Sequence, residues 1–147
     1  MGMYTEIYVN VELREDTPPE VHEFLSVFGA TTPPSDHPLF STPRWDAIFH
    51  GGTRSYYFTR MGFYRYRAPD PVHAGLSLCA DIKNYDSEIE LFVDWITPYV
   101  AGNEYDRVHI GHTRYEEAIE PTLLYAEESS YYASTHARYI SNRRARR

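Results

Sequence analysis

The chain has 147 residues, which is close to the usual size of one folded domain. Its single cysteine, Cys79, excludes an internal disulfide and an all-cysteine metal site, and a lone thiol fits a reducing compartment. No segment approaches the roughly 20 apolar residues that span a bilayer, and the N-terminus has no apolar run behind a basic start. The sequence therefore predicts a cytoplasmic protein without membrane association.

Charge is unevenly distributed along the chain. The net charge is −7, but the part up to Ala137 carries nine basic and twenty-one acidic residues, a net −12, while the last ten residues carry five Arg and no acid. We expect one domain over residues 1–128 and a basic tail of Tyr, Ser and Arg over residues 129–147, either disordered or folding on a partner. The acidic body repels nucleic acid at long range, whereas the tail attracts it locally.

The first third of the chain predicts one strand and two helices. Apolar and polar residues alternate from Tyr4 to Leu13, as in a strand with one buried face. The run Thr17-Pro18-Pro19-Glu20 is typical of a helix start, with Thr17 as the cap, and Gly29 ends that helix. A Pro-rich loop follows over residues 30–43, and residues 44–50 predict a short helix.

The remainder predicts five further strands and the longest helix. Residues 54–59 and 63–67 predict a hairpin, and residues 76–83, 107–115 and 121–127 predict three more strands. The helix is expected from Ser87 to about Val100, with Asp86 as its cap and a kink or end at Pro98. Its apolar residues cover so wide an arc that only three positions are expected to face water: Glu90, Asp94 and Thr97.

The predicted element order is β-α-(short α)-β-β-β-α-β-β. Alternating strands joined by short turns indicate an α+β fold, with a largely antiparallel sheet of about five to six strands and two main helices packed on one face. The other face is expected to display mostly polar side chains: Tyr8, Asn10, Glu12, Cys79, Asp81, Lys83, His109 and Thr113.

No catalytic or metal-binding motif fits its context. The run His109-Ile110-Gly111-His112 spells the HIGH signature of class I aminoacyl-tRNA synthetases, but it lies late in the chain within a predicted strand. Residues three apart in a strand point to opposite faces, so the two His are not expected to converge on one phosphate or metal. The HExxH zinc motif is broken, because Ser26 occupies the position of its second His. The sequence thus gives no catalytic residue, metal ligand or cofactor to propose.

The predicted hairpin interleaves Arg with aromatic residues and contains no acid between Asp46 and Asp70. Single-stranded nucleic acid and phosphorylated ligands are bound by this combination of charge and stacking. The alternative is an ordinary strand pair with one buried aromatic face and Arg on the wet face. The candidate residues for binding nucleic acid or a partner, two of them from the tail, are Arg54, Tyr57, Arg60, Tyr64, Arg65, Arg67, Arg143 and Arg144.

The exposed sheet face is a second candidate site. If the predicted strands are neighbours, ionisable side chains on that face would line a pocket for a small ligand or substrate. The candidate residues are Asp81, Lys83, His109 and Tyr115.

Three stretches of the chain carry a family resemblance. They are Tyr4 to Phe24 (YTEIYVNVELREDTPPEVHEF), Leu78 to Trp95 (LCADIKNYDSEIELFVDW) and Ile110 to Tyr125 (IGHTRYEEAIEPTLLY). Together they resemble a group of small bacteriophage and prophage proteins of unknown function. The resemblance covers about half of the chain without the basic tail. It implies a mobile-element origin and the host cytoplasm, and it implies no activity for any residue.

Three functional interpretations follow, and they belong to different classes. The first is a small phage or mobile-element accessory protein that binds a host protein and modulates or inhibits it. The second is a nucleic-acid-binding protein that uses the Arg and Tyr residues of the hairpin and the Arg tail. The third is a small enzyme or small-ligand sequestering protein with a pocket on the exposed sheet face.

Overall fold

The computed structural model describes residues 3–51, Phe58 and residues 61–127. Its regular elements are short and are joined mostly by turns. Three 3-10 helices cover Pro38–Ser41, Trp45–Phe49 and Thr97–Tyr99. The strands and α-helices are, in chain order, β1 (Thr5–Leu13), α1 (Pro19–Ser26), β2 (Phe63–Arg67), β3 (Ala74–Ile82), α2 (Glu88–Ile96), β4 (Val108–Tyr115) and β5 (Thr122–Ala126).

The five strands form one sheet in the order β2-β3-β1-β4-β5, and each neighbouring pair is antiparallel. The segment with α1 joins β1 to β2 across β3, and the segment with α2 joins β3 to β4 across β1. These connections are the split β-α-β arrangement of ferredoxin-like folds, here extended by β5. The predicted α+β class, antiparallel sheet and pair of main helices are confirmed.

One face of the sheet is covered by the helices because β1 alternates strictly. Its residues Ile7, Val9, Val11 and Leu13 are buried in one core with residues of α1 and α2. At the centre of that core lies Phe24 of α1. Its ring centroid is 5.2–5.8 Å from four others, mostly in edge-to-face contact. These rings are Phe40, Trp45, Phe49 and Trp95. The predicted loop and short helix over residues 30–50 therefore complete the core as a layer of aromatic side chains.

The start of α2 differs from the expectation that Asp86 caps it. The residue before the helix, Ser87, has a φ of 59° and makes no side-chain cap bond. Asn84 caps the helix instead, because its Oδ1 accepts from the backbone N–H of Ile89 at 2.9 Å. The helix passes after Ile96 into the 3-10 turn that contains Pro98, as predicted.

Two positions of α2 that were expected to face water are buried. Thr97 donates its hydroxyl to the Val93 carbonyl at 2.6 Å, and the Asp94 carboxylate accepts from His37 Nε2 at 2.9 Å. The backbone N–H of Leu39 donates to His37 Nδ1 at 3.0 Å, so the proton of the neutral imidazole is on Nε2. The expectation was wrong because the first 3-10 helix covers this side of α2. A local sequence pattern does not show which loop packs against a helix.

A β-bulge in β4 overturns the expectation that His109 and His112 point to opposite faces. In the pairing with β5, His109 lies opposite Tyr125 and Gly111 lies opposite Leu124, so Ile110 is an extra residue. The inserted residue shifts the alternation by one position. His109 and His112 therefore lie on the same face, whereas Thr113, which was expected there, lies at a position of the helix-bearing face.

Several predictions fall outside the described residues. They concern the first strand of the hairpin, of which only Phe58 is described, and the basic tail over residues 129–147. Within the described part of the chain, no helix is long and apolar enough to cross a lipid bilayer.

Replacing Gly111 with Ala should destabilise the fold, because β4 approaches β1 closely at this glycine. A Cβ at this position would lie 1.8 Å from the Tyr8 carbonyl oxygen, so the central strands would have to separate. We expect a loss of about 2 kcal/mol or more in the free energy of unfolding, measured by urea denaturation. Gly75→Ala in β3 is the control, because its nearest contact would be an ordinary 3.5 Å. Equal stability of the two variants would contradict the close approach of β4 to β1 at Gly111.

His22 should contribute to acid sensitivity of the fold. Its Nδ1 lies 2.6 Å from the Tyr66 hydroxyl, and partial burial lowers the pKa of the imidazole below 6.5. The folded state therefore favours neutral His22, and stability should decrease as the pH falls below about 6.5. Because the ring remains partly exposed, we expect a few tenths of a kcal/mol. An NMR titration that places the His22 pKa at or above 6.5 would refute this prediction; His22→Asn, which does not titrate, is the control for unfolding.

Candidate binding surface on the open face of the sheet

The sheet face opposite the helices, here called the open face, is built by the second set of alternating positions. Register places Glu6, Tyr8, Asn10 and Glu12 of β1 on it, because their neighbours are the core residues of that strand. The other strands contribute residues opposite these positions: Phe63, Arg65 and Arg67 of β2, Gly75, Ser77, Cys79 and Asp81 of β3, His109, His112 and Arg114 of β4, and Leu123 and Tyr125 of β5.

One corner of the molecule, where β2, β3 and β1 adjoin, contains a groove of about 840 Å³ with two guanidinium groups. Arg65 lies opposite Ser77, and Arg67 lies opposite Gly75, where the missing side chain leaves room for it. Both Arg side chains are exposed, and neither forms an ion pair with a described residue. The groove extends around the β2 edge of the sheet, because it is lined from the open face by Asn10, Glu12, Arg65, Arg67, Gly75 and Ser77 and from the helix-bearing side by Val11, Phe28, Tyr64, Tyr66 and Leu76.

Polar groups beside the two guanidinium groups complete the chemistry of this groove. The Ser77 hydroxyl donates to Asn10 Oδ1 at 2.9 Å, and the Asn10 amide N–H groups have no acceptor among the described residues. The Glu12 carboxylate is exposed and lies 2.7 Å from His73 Nδ1. The groove can therefore donate several hydrogen bonds to an anion, with one acidic group at its edge.

A row of rings crosses the open face next to the groove. Phe63 contacts Tyr8 edge-on, with ring centroids 5.9 Å apart, and Tyr8 stacks on His112 at 5.4 Å. Further along, His109 contacts Tyr125 at 5.5 Å, and the Arg107 guanidinium lies 4.2 Å from the Tyr125 ring centroid. Rings that lie across neighbouring strands form a surface on which planar groups can stack.

The two carboxylates at the far end of the open face are buried. Glu6 lies opposite Asp81 on one side and Arg114 on the other, and its Oε1 is 3.8 Å from His112 Nε2. Phe58 is also buried here, with the Arg114 guanidinium 4.9 Å from its ring centroid. This part of the face is therefore internal, and the accessible part is the groove with the row of rings.

The accessible part of the open face differs in charge from the protein as a whole. Among the described residues, its exposed charged groups are Arg65, Arg67 and Arg107 against the carboxylate of Glu12. The acidic surplus of the chain consequently lies elsewhere on the molecule. An anionic ligand would thus meet a locally positive surface despite the net charge of −7.

Of the predicted Arg and Tyr set, the structure brings Arg65 and Arg67 together on the open face. Tyr64 points to the helix-bearing face, where its hydroxyl donates to the Leu25 carbonyl at 2.6 Å. Burial raises the pKa of the Tyr64 phenol, and Tyr66 raises it further, so the hydroxyl stays protonated. The other members lie outside the described residues: Arg54, Tyr57, Arg60, Arg143 and Arg144.

The four residues of the predicted small-ligand pocket do not meet in one place. Asp81 is buried at one end of the open face, and His109 is exposed at the opposite end of β4. Lys83 follows β3 with its Nζ 5.6 Å from the Tyr4 ring centroid, and Tyr115 lies at a position of the helix-bearing face. The bulge at Ile110 is the reason that His109 and Tyr115 lie on different faces.

Sequence reasoning missed the pairing that builds this surface. Phe63, Tyr8 and His112 are separated by up to 104 positions in the sequence and belong to no recognisable motif. They become neighbours only through the order of strands in the sheet. The alternation of each strand was the available signal, but strand order is not written in it.

Within the described part of the chain, no group of three or more His, Cys, Asp or Glu residues could hold a metal ion. The chain matches no protein-family model, no curated protein and no solved structure.

Proposed function

We propose that the protein acts by binding, and that the open face holds single-stranded nucleic acid. The observation that carries this proposal is the pair Arg65 and Arg67, exposed and without ion-pair partners among the described residues, beside the row of rings. Guanidinium groups match phosphate oxygens in geometry as well as charge, and aromatic rings accept any base by stacking.

The geometry supports a single strand better than a duplex. A sheet face with half-buried rings offers stacking contacts, and the bases of a duplex are already stacked on each other. The acidic remainder of the protein also disfavours wrapping of a long duplex, since its repulsion acts over about 10 Å at moderate salt. Contacts confined to the groove and the rings therefore suit a short segment.

Binding to labelled oligonucleotides of about 12 nucleotides tests the proposal. Fluorescence anisotropy should show binding that weakens between about 50 mM and about 200 mM salt, because phosphate contacts release counterions. The double variant Arg65→Ala/Arg67→Ala should weaken binding roughly tenfold at the lower salt and reduce the salt slope by about 1.4.

The matched control is Arg65→Lys/Arg67→Lys, which keeps both charges and removes the planar fork. It should retain the salt slope while losing part of the affinity. Affinity that does not change with salt, or a duplex bound as tightly as the single strand, would contradict the proposal.

Modulation of a host protein, the first interpretation from the sequence, is a second candidate. The phage resemblance remains a prediction of the sequence. The observation that favours a protein partner is separate from the open face, and consists of exposed apolar and tyrosine side chains where β1, β3 and β4 adjoin near the β4–β5 turn.

A further inference from the structure

One end of the sheet displays three large side chains that the proposed nucleic-acid site does not use. Tyr85 follows β3, Tyr115 ends β4, and Ile119 lies in the turn before β5. Their exposed fractions are 61%, 40% and 98%. We call this surface the tyrosine end. An isolated exposed apolar residue is ordinary, but several together, with tyrosine among them, are typical of protein interfaces.

The tyrosine end is held in place by the sheet. Tyr115 lies opposite Thr5 of β1, and the backbone N–H of Glu116 donates to the Tyr4 carbonyl at 3.1 Å. The backbone N–H of Tyr4 donates in return to Glu116 Oε1 at 3.1 Å. The turn closes with a bond from the Ala118 N–H to the Tyr115 carbonyl at 2.8 Å. A partner would therefore meet an ordered surface and lose little affinity to ordering it.

Tyr85 and Tyr115 lie at the same end of the sheet, because Thr5 of β1 pairs both with Ile82 at the end of β3 and with Tyr115 at the end of β4. The pKa of the Tyr115 phenol is raised by partial desolvation and then by neighbours that include Glu117 and Tyr85. The Arg44 guanidinium lies 5.3 Å from the Tyr85 ring centroid. The two phenol rings thus belong to one surface.

The charges around the tyrosine end are mostly negative. Asp86, Glu117 and Glu120 are exposed next to it in sequence. The nearby Arg44 is already engaged, with its Nη1 3.1 Å from Asp86 Oδ2 and 3.7 Å from the buried Glu88. A surface with apolar and phenol contacts inside an acidic rim complements a partner with an apolar side chain flanked by Lys or Arg.

We infer that the tyrosine end docks a basic segment of a partner protein, with an aromatic or aliphatic anchor against Tyr85, Tyr115 and Ile119. This surface is distinct from the open-face groove with Arg65 and Arg67, so the two bind ligands of opposite charge. The inference does not rest on the proposed nucleic-acid function, and either stands if the other fails.

Selection from a library of random peptides displayed on yeast tests the inference with the full-length protein. Enriched peptides should carry Lys or Arg around an aromatic or aliphatic residue. The variant Tyr115→Ser/Ile119→Ser should lose at least about tenfold in affinity for them. Both side chains are exposed, so the variant should fold normally, which an unchanged urea midpoint confirms. Arg65→Ala/Arg67→Ala should bind the same peptides with unchanged affinity.

Charge reversal distinguishes specific binding of basic peptides from nonspecific binding. Glu117→Lys/Glu120→Lys should reject the basic peptides by at least about tenfold. Enrichment of acidic or uncharged peptides, or peptide binding that ignores both double variants, would overturn the inference. If basic peptides bind only after removal of residues 128–147, the occupant is the chain's own basic tail, and the assignment to a partner protein is wrong.

Discussion

The fold depends on the central position of β1, which pairs with β3 on one side and β4 on the other. Apolar and polar residues alternate along this strand, so its apolar face must be buried and its polar face can remain exposed to solvent. The aromatic layer around Phe24 covers the apolar face, and α1 and α2 pack in the same core. Both candidate surfaces are consequences of this arrangement, since each lies where the covering elements are absent.

Charge is separated between these surfaces more sharply than the composition suggests. The exposed guanidinium groups of Arg65 and Arg67 lie on the open face, whereas exposed carboxylates such as Glu117 flank the tyrosine end. The local positive charge of the groove would allow an anion to approach a protein that is acidic as a whole.

The sequence predicted the elements well because alternation and helical periodicity are local properties. The strand from Tyr4 to Leu13, the helix after Thr17 and the last two strands were found nearly where they lie. Properties that depend on distant pairing were not predicted: burial of Asp94 by His37, capping of α2 by Asn84, and the shared face of His109 and His112. Of the candidate binding surface, the sequence indicated the Arg residues of β2, but not the rings that adjoin them.

The bulge at Ile110 has a consequence for how this strand tolerates change in length. After the bulge, residues 111–115 follow the alternation that Gly111 and His112 establish, and before it Val108 and His109 follow a second alternation that is shifted by one residue. Loss of the extra residue, Ile110, would remove this shift and leave His109 next to Gly111, in regular pairing with Tyr125 and Leu124. Val108 would then keep the helix-bearing face and His109 the open face, so the register of the sheet tolerates a shorter strand here, and the loss would be that of the buried Ile110 side chain.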